Sequence, residues 1–168
     1  MPGPYEIYLI RHAVAEERSE KWPDDTKRPL TDDGMSRMRK SIRGLSRLGV
    51  SFDIVLTSPL VRTKQTAEIA AAGVSPRASI VAVDSLAPDG TSAAVIADLE
   101  KHAKKTRIAL VGHEPNIGEL AARLIGWRHA IEFKKGAVCR VDLATLPPSG
   151  PGDLRWLLTP RIMRAIKK

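Results

Sequence analysis

Cysteine occurs once in this chain, at Cys139, so an internal disulfide is excluded and a reducing compartment is the expected setting. Long apolar runs are missing too. No stretch approaches the roughly 20 apolar residues that carry a helix across a bilayer, and the opening MPGPYE lacks the charged start and apolar core of a secretory signal. The expectation is a cytoplasmic protein without a membrane partner. Aromatic residues make up 4% of the chain, and none is interleaved with the basic residues at Lys134-Lys135 or in the tail PRIMRAIKK. A stacking platform for single-stranded nucleic acid is therefore not expected, and nucleic acid is set aside as a partner. Acidic residues are the minority, and the net charge of +8 suits acidic or phosphorylated ligands. The four histidines, His12, His102, His113 and His129, form no ligand-spaced cluster with acids or with Cys139, so neither a metal nor another cofactor is expected. Cys139 sits in an apolar run with no basic partner in a motif, which reads as core packing.

What is present is a regular alternation of strand-like and helix-like segments over 168 residues, 43% of them hydrophobic. That pattern predicts one domain, residues 1–168, of the α/β class: a mostly parallel central sheet with helices on both faces. No repeat and no linker interrupts it. Tyr5, Ile7, Tyr8, Leu9 and Ile10 read as a buried strand. Thr31 can cap a helix whose Met35, Met38, Ile42, Leu45 and Leu48 share one face, with Gly49 near its end. Further strands are expected over 52–56, 80–83, 108–111, 138–143 and 154–158, the last two joined as a hairpin by LPPSGPGD. Helices are expected from Ser58-Pro59 to about Ala72, from Ser92 to Lys104 and from Glu114-Pro115 to Gly126. The late hairpin and the basic tail are together expected to cover the sheet edge.

Three of the strands end in polar residues where an apolar residue or a turn would be usual. Arg11-His12 follows the first, Ser58 and Arg62 the second, and His113 the fourth. In open parallel sheets ligands bind beyond the carboxyl ends of the strands, so these side chains should converge on one crevice. Two arginines, two histidines and two helix N-termini in one crevice describe an anion site, because guanidinium groups match phosphate oxygens in pairs. Taken singly, Ser58 reads more readily as a helix cap than as a catalyst, Arg62 reads also as a solvated charge and either histidine as often as a structural residue. Their shared position in the fold favours the site.

The order of these segments resembles the histidine phosphatase superfamily. LIRHA is similar to its strand-end signature, with Ala13 where most members carry glycine; LTSPLVRTKQTAEI and LVGHEPNIG resemble its second arginine and second histidine segments. RPLTDDG and SLAPDG resemble the short phosphohistidine phosphatases of the SixA type, and the likeness runs from Tyr5 to about Gly136. The resemblance implies a phosphoglycerate mutase-like three-layer sandwich without lid insertions. It further implies that His12 is the nucleophile, that Arg11 and Arg62 hold the phosphoryl oxygens with Ser58 in the same pocket, and that His113 adds a hydrogen bond or charge. Larger members place a glutamate after the third strand as acid. Here that region reads DSLAPD, so Asp84 and Asp89 are the candidate acids, each more readily a turn former, and Arg28 is a candidate extra phosphate or partner contact.

The expected activity is a metal-independent phosphatase working through phospho-His12 on phosphohistidine in a phosphorylated signalling protein. Phosphohistidine leaves easily once its ring is protonated, which suits a site short of an acid. The alternatives are a phosphomonoesterase for small molecules or phosphoserine and phosphothreonine, and a non-catalytic phosphate-binding module. The acidic and basic residues between His12 and Leu30 are expected to form a solvated loop beside an open site.

Overall fold

The computed structural model describes residues 4–167; Met1, Pro2 and Gly3 of the opening MPGPYE and Lys168 of the basic tail lie outside them. Six strands form one sheet: β1 (Tyr5–Arg11), β2 (Ile54–Thr57), β3 (Ser79–Ala82), β4 (Arg107–Gly112), β5 (Val138–Leu143) and β6 (Asp153–Leu158). Their spatial order is β3-β2-β4-β1-β5-β6. The first four are parallel, β5 runs antiparallel to β1, and β6 returns antiparallel to β5.

Alternation along the strands divides the apolar residues between two cores. Ile7 and Leu9 of β1 pack with Leu56, Ile108 and Leu110 beneath α3 (Ser92–Lys101) and α4 (Asn116–Ile125). Tyr8 and Ile10 face the other way, against α1 (Asp32–Ser46), α2 (Val61–Val74) and α5 (Pro160–Ala165). Because both faces are covered, β1 is apolar on both, and each fully buried Ile or Leu contributes about 1.5–3 kcal/mol. Cys139 is fully buried in the first core. Burial alone pushes its thiol up to about 12, which makes it packing rather than chemistry. No helix among the described residues is long and apolar enough to cross a membrane.

Thr31 caps α1 as its sequence implies, its hydroxyl accepting from Gly34 N at 2.8 Å. Leu48 departs from the expected apolar face and is exposed, because α1 ends at Ser46 before reaching it. Strand β2 starts at Ile54 rather than Phe52, and α3 stops at Lys101 rather than Lys104. Helix α2 opens at Val61, three residues after Ser58, with Leu60 at its N-cap and no side-chain cap. Ser58 does not cap it because its oxygen points into the crevice instead. The tail is not mere edge cover: Thr159 caps α5, with Pro160 in its first turn, and Met163 is fully buried against α1. The Thr-Pro pair was the available signal for that helix.

Helix α5 approaches α1 so closely at Gly44 that an added Cβ would overlap the carbonyl oxygen of Met163. Gly44→Ala is therefore expected to destabilise the fold by about 1–3 kcal/mol in urea unfolding, because rigid backbone must give way. Unchanged stability would show that α5 does not dock there.

Candidate active site

The register of the parallel strands assembles the site before any side chain is considered. Arg11 lies opposite Gly112 across β1 and β4, and Thr57 opposite Val111 across β2 and β4. The next residues, His12, His113 and Ser58, therefore leave neighbouring strands at the same carboxyl edge. Backbone bonds hold two of them as they leave: His12 N donates to Gly112 O at 3.1 Å and Ser58 N to Val111 O at 3.0 Å. The two imidazole rings end with centroids 5.3 Å apart, both residues buried.

His12 Nδ1 donates to Ala13 O at 2.7 Å, since a carbonyl only accepts. This fixes the tautomer and leaves Nε2 with its lone pair. Ala13 takes the usual glycine position without strain: no non-glycine residue among those described has positive φ, and its N–H donates to Thr66 Oγ1 at 3.1 Å. His113 Nε2 lies 2.8 Å from Ser58 Oγ, which also accepts from Leu60 N at 3.3 Å. Burial lowers His12 to about 4, assisted by the charges of Arg62 and Arg11. Burial likewise lowers His113 to about 3, with His12 the next cause and Arg62 after it. Both rings are neutral at physiological pH.

Arg11 projects from the last position of β1 and donates through Nη1 to Phe133 O at 2.7 Å. Arg62, only 3% exposed, is the second residue of α2, in its first turn. Its Nη1 donates to the backbone oxygen of Asp25 at 2.9 Å and its Nη2 to that residue's carboxylate at 3.0 Å. Among the described residues, Arg11 Nε and Arg62 Nε are the two buried side-chain polar atoms without a partner. Buried donors on two guanidinium groups flanking a neutral imidazole fit an oxyanion with several acceptor oxygens.

Asp25 is the residue that sequence reasoning missed. Most acids of the loop between His12 and Leu30 are exposed as expected, but Asp25 turns inward to Arg62 and Arg28 and corrects the picture of a purely solvated loop. The Arg28 hydrogen bond holds its carboxyl below the usual range, with the charges of Arg62 and Arg28 adding to the effect. Arg28 is also anchored by donation from Nη1 to Glu16 O at 2.6 Å, which puts it beside the site. Nothing in the sequence distinguishes Asp25 from Asp24; only the turn at Asp25–Lys27 aims it. Asp84 and Asp89 are exposed, and neither hydrogen-bonds to His12, Arg11, Arg62 or His113 among the described residues. Asn116 donates to Pro88 O at 3.0 Å and Gly90 O at 3.2 Å, tying the turn that carries Asp89 to the start of α4.

Residues 7–87 match the model of the histidine phosphatase superfamily (branch 1). An uncharacterized protein of Picosynechococcus sp. (strain PCC 7002) is 40% identical over 163 residues, covering 93% of this chain and 97% of that protein. Among solved structures, the protein histidine phosphatase SixA complexed with tungstate superposes with a TM-score of 0.83 at 26% identity, covering 93% of this chain and 97% of that one. The α-ribazole phosphatase of Shigella flexneri superposes with a TM-score of 0.71 at 20% identity, covering 97% and 98%, a likeness of fold alone.

The depressed histidines also set a pH dependence of stability. Below the ordinary value of about 6.5 the unfolded chain binds protons at both rings while the folded one does not, so stability falls as pH drops from there towards 4 and is flat above. An NMR titration should find both rings neutral at pH 6, and urea unfolding should weaken through the same acid window. A His12 pKa near 6.5 would contradict the burial argument. Asp25→Asn should cost about 1 kcal/mol in the same assay, a modest loss because the carboxylate is partly exposed.

Proposed function

The chain belongs to the histidine phosphatase superfamily, and from that membership we propose that this phosphatase is metal-independent, works through phospho-His12 and removes the phosphoryl group from phosphohistidine on a cytoplasmic signalling protein. One observation carries the reading. A buried, neutral imidazole, its tautomer fixed by Ala13 O, lies between two arginines with buried unpartnered Nε donors. Such a ring is a nucleophile at neutral pH, and phosphoryl transfer asks the protein chiefly for alignment and compensation of spread negative charge.

In the proposed sequence His12 Nε2 attacks phosphorus while Arg11 and Arg62 hold the equatorial oxygens. Ser58 keeps His113 directed at them. The P–N bond of the substrate breaks, its electron pair goes to the leaving nitrogen, and a ring protonated on its other nitrogen departs as neutral imidazole. Water then attacks phospho-His12, the N–P bond breaks, and inorganic phosphate leaves with the imidazole restored. No acid is required for that leaving group, in keeping with the exposed positions of Asp84 and Asp89. The binding of tungstate, a tetrahedral oxyanion, by the similar SixA supports an oxyanion site here. Among the described residues the interval from Ala87 to Arg107 holds one helix, α3, and no further element that could build a lid, which suits a protein substrate better than an enclosed metabolite.

Acid-quench trapping with a labelled histidine-phosphorylated protein tests the reading. Transient alkali-stable, acid-labile label is expected on the wild type and none on His12→Ala, whose turnover should fall on the order of 10³-fold or more. Arg62→Ala should lower kcat by roughly 10²–10³-fold through lost charge compensation. Equal efficiency on phosphohistidine protein and alkyl phosphates would favour the phosphomonoesterase reading. Phosphate binding with neither label nor release would make this a recognition module.

A further inference from the structure

A second concentration of positive charge lies on the same edge of the sheet, outside the phosphate pocket. Between α1, the segment 134–136 and the start of α5 is a cavity of about 430 Å³. Arg37, Lys134, Lys135, Arg161 and Arg164 line it, and no acidic side chain does. Buried Met38 and Ala13, together with Pro160, supply an apolar floor.

Topology sets this cavity beside the nucleophile. Strand β5 runs antiparallel to β1, so the residues entering it lie at the edge where β1 ends; β6 reverses again and delivers α5 to that edge. Gly136 N donates to the carbonyl oxygens of both Arg11 and His12, at 3.1 and 3.0 Å. Lys135 is thus one residue from a direct bond to the backbone of the candidate nucleophile, while Ala13 and Val14, the residues that follow it, form the shared wall.

The cations are poorly compensated. Arg37 pairs with Asp33 at 2.9 Å in an exposed contact, and Arg164 reaches Ser41 Oγ at 3.4 Å. Lys134, Lys135, Arg161 and Arg164 make no ion pair among the described residues. Like charges gathered this way repel one another and lower stability, a cost that an anionic occupant removes. The volume admits a few side chains rather than a folded element, and the apolar floor suits the methylenes of glutamate.

The geometry points to a docking surface for an acidic helix of the phosphorylated protein substrate, whose carboxylates enter this cavity while its phosphohistidine reaches His12. The inference rests on the reading of a phosphohistidine protein as substrate. It assigns to Lys134, Lys135 and Arg161 a part in choosing the partner and none in the chemistry.

Two measurements on the full chain test it. The first is fluorescence anisotropy with a labelled Glu-rich helical peptide that carries no phosphate. The wild type should bind it with an affinity that falls as salt rises, and the triple variant Lys134→Glu/Lys135→Glu/Arg161→Glu should weaken binding by roughly tenfold or more. The triple alanine variant, which removes the charges without reversing them, should fall between. The second is kcat/KM on a labelled, acidic histidine-phosphorylated protein and on phosphoramidate. Charge reversal should raise KM for the protein and leave phosphoramidate hydrolysis unchanged, which also shows that the variant folds. Unaltered peptide binding, equal losses on both substrates in the alanine variant, or equally tight binding of single-stranded DNA would overturn the docking surface. A wild type that hydrolyses phosphoramidate but not the phosphoprotein would instead overturn the substrate reading, and peptide binding would still decide the surface.

Discussion

Arg11, Arg28 and Arg62 crowd around His12 at the carboxyl edge of the sheet, and that concentration of positive charge governs the rest of the site. Two devices make it tolerable. Burial keeps the imidazoles of His12 and His113 neutral, so they add no charge of their own. Asp25 supplies a carboxylate that Arg62 and Arg28 share. The outcome is a cation-rich pocket compatible with a folded chain, in which the Nε atoms of Arg11 and Arg62 are buried without a partner.

The sheet makes this geometry reproducible. Side chains on loops alone would need many contacts to fix their spacing, whereas here the ladder between β1, β4 and β2 sets it through backbone hydrogen bonds. Of the candidate residues, Arg11 is the last paired position of β1, His12, Ser58 and His113 each follow the end of a strand, and Arg62 lies in the first turn of the helix beyond β2. The two cores above and below then lock the strands in place, which leaves the edge free to carry polar groups.

Much of this was legible in the chain itself because the signals were local. An apolar run ending in Arg-His, a Thr three residues before Gly34, and a Pro- and Gly-rich turn between β-rich runs each have one economical reading. The start of α2 was misplaced because Ser58-Pro59 satisfies the local rule for a cap, while a tertiary contact with His113 claims the same hydroxyl. Asp25 was invisible for a related reason: its role depends on Arg62, 37 positions away, and on a single turn that aims it inward. The expectation of a cation-rich crevice needed only strand ends; the identity of its counter-charge needed the fold.

The central position of β1 bears on how the protein forms. Its neighbours are β4 and β5, and Glu6 pairs with Arg107 on one side and Asp142 on the other, about a hundred residues or more along the chain. The strand that carries His12 is therefore made about a hundred residues ahead of its partners and paired late, and closing such long loops places this topology among the slower folders. Throughout that interval an apolar segment with two unsatisfied edges stands open to other chains. Expression at low temperature or with a chaperone that shields extended apolar segments should then improve the yield of soluble protein more than any change to the finished surface.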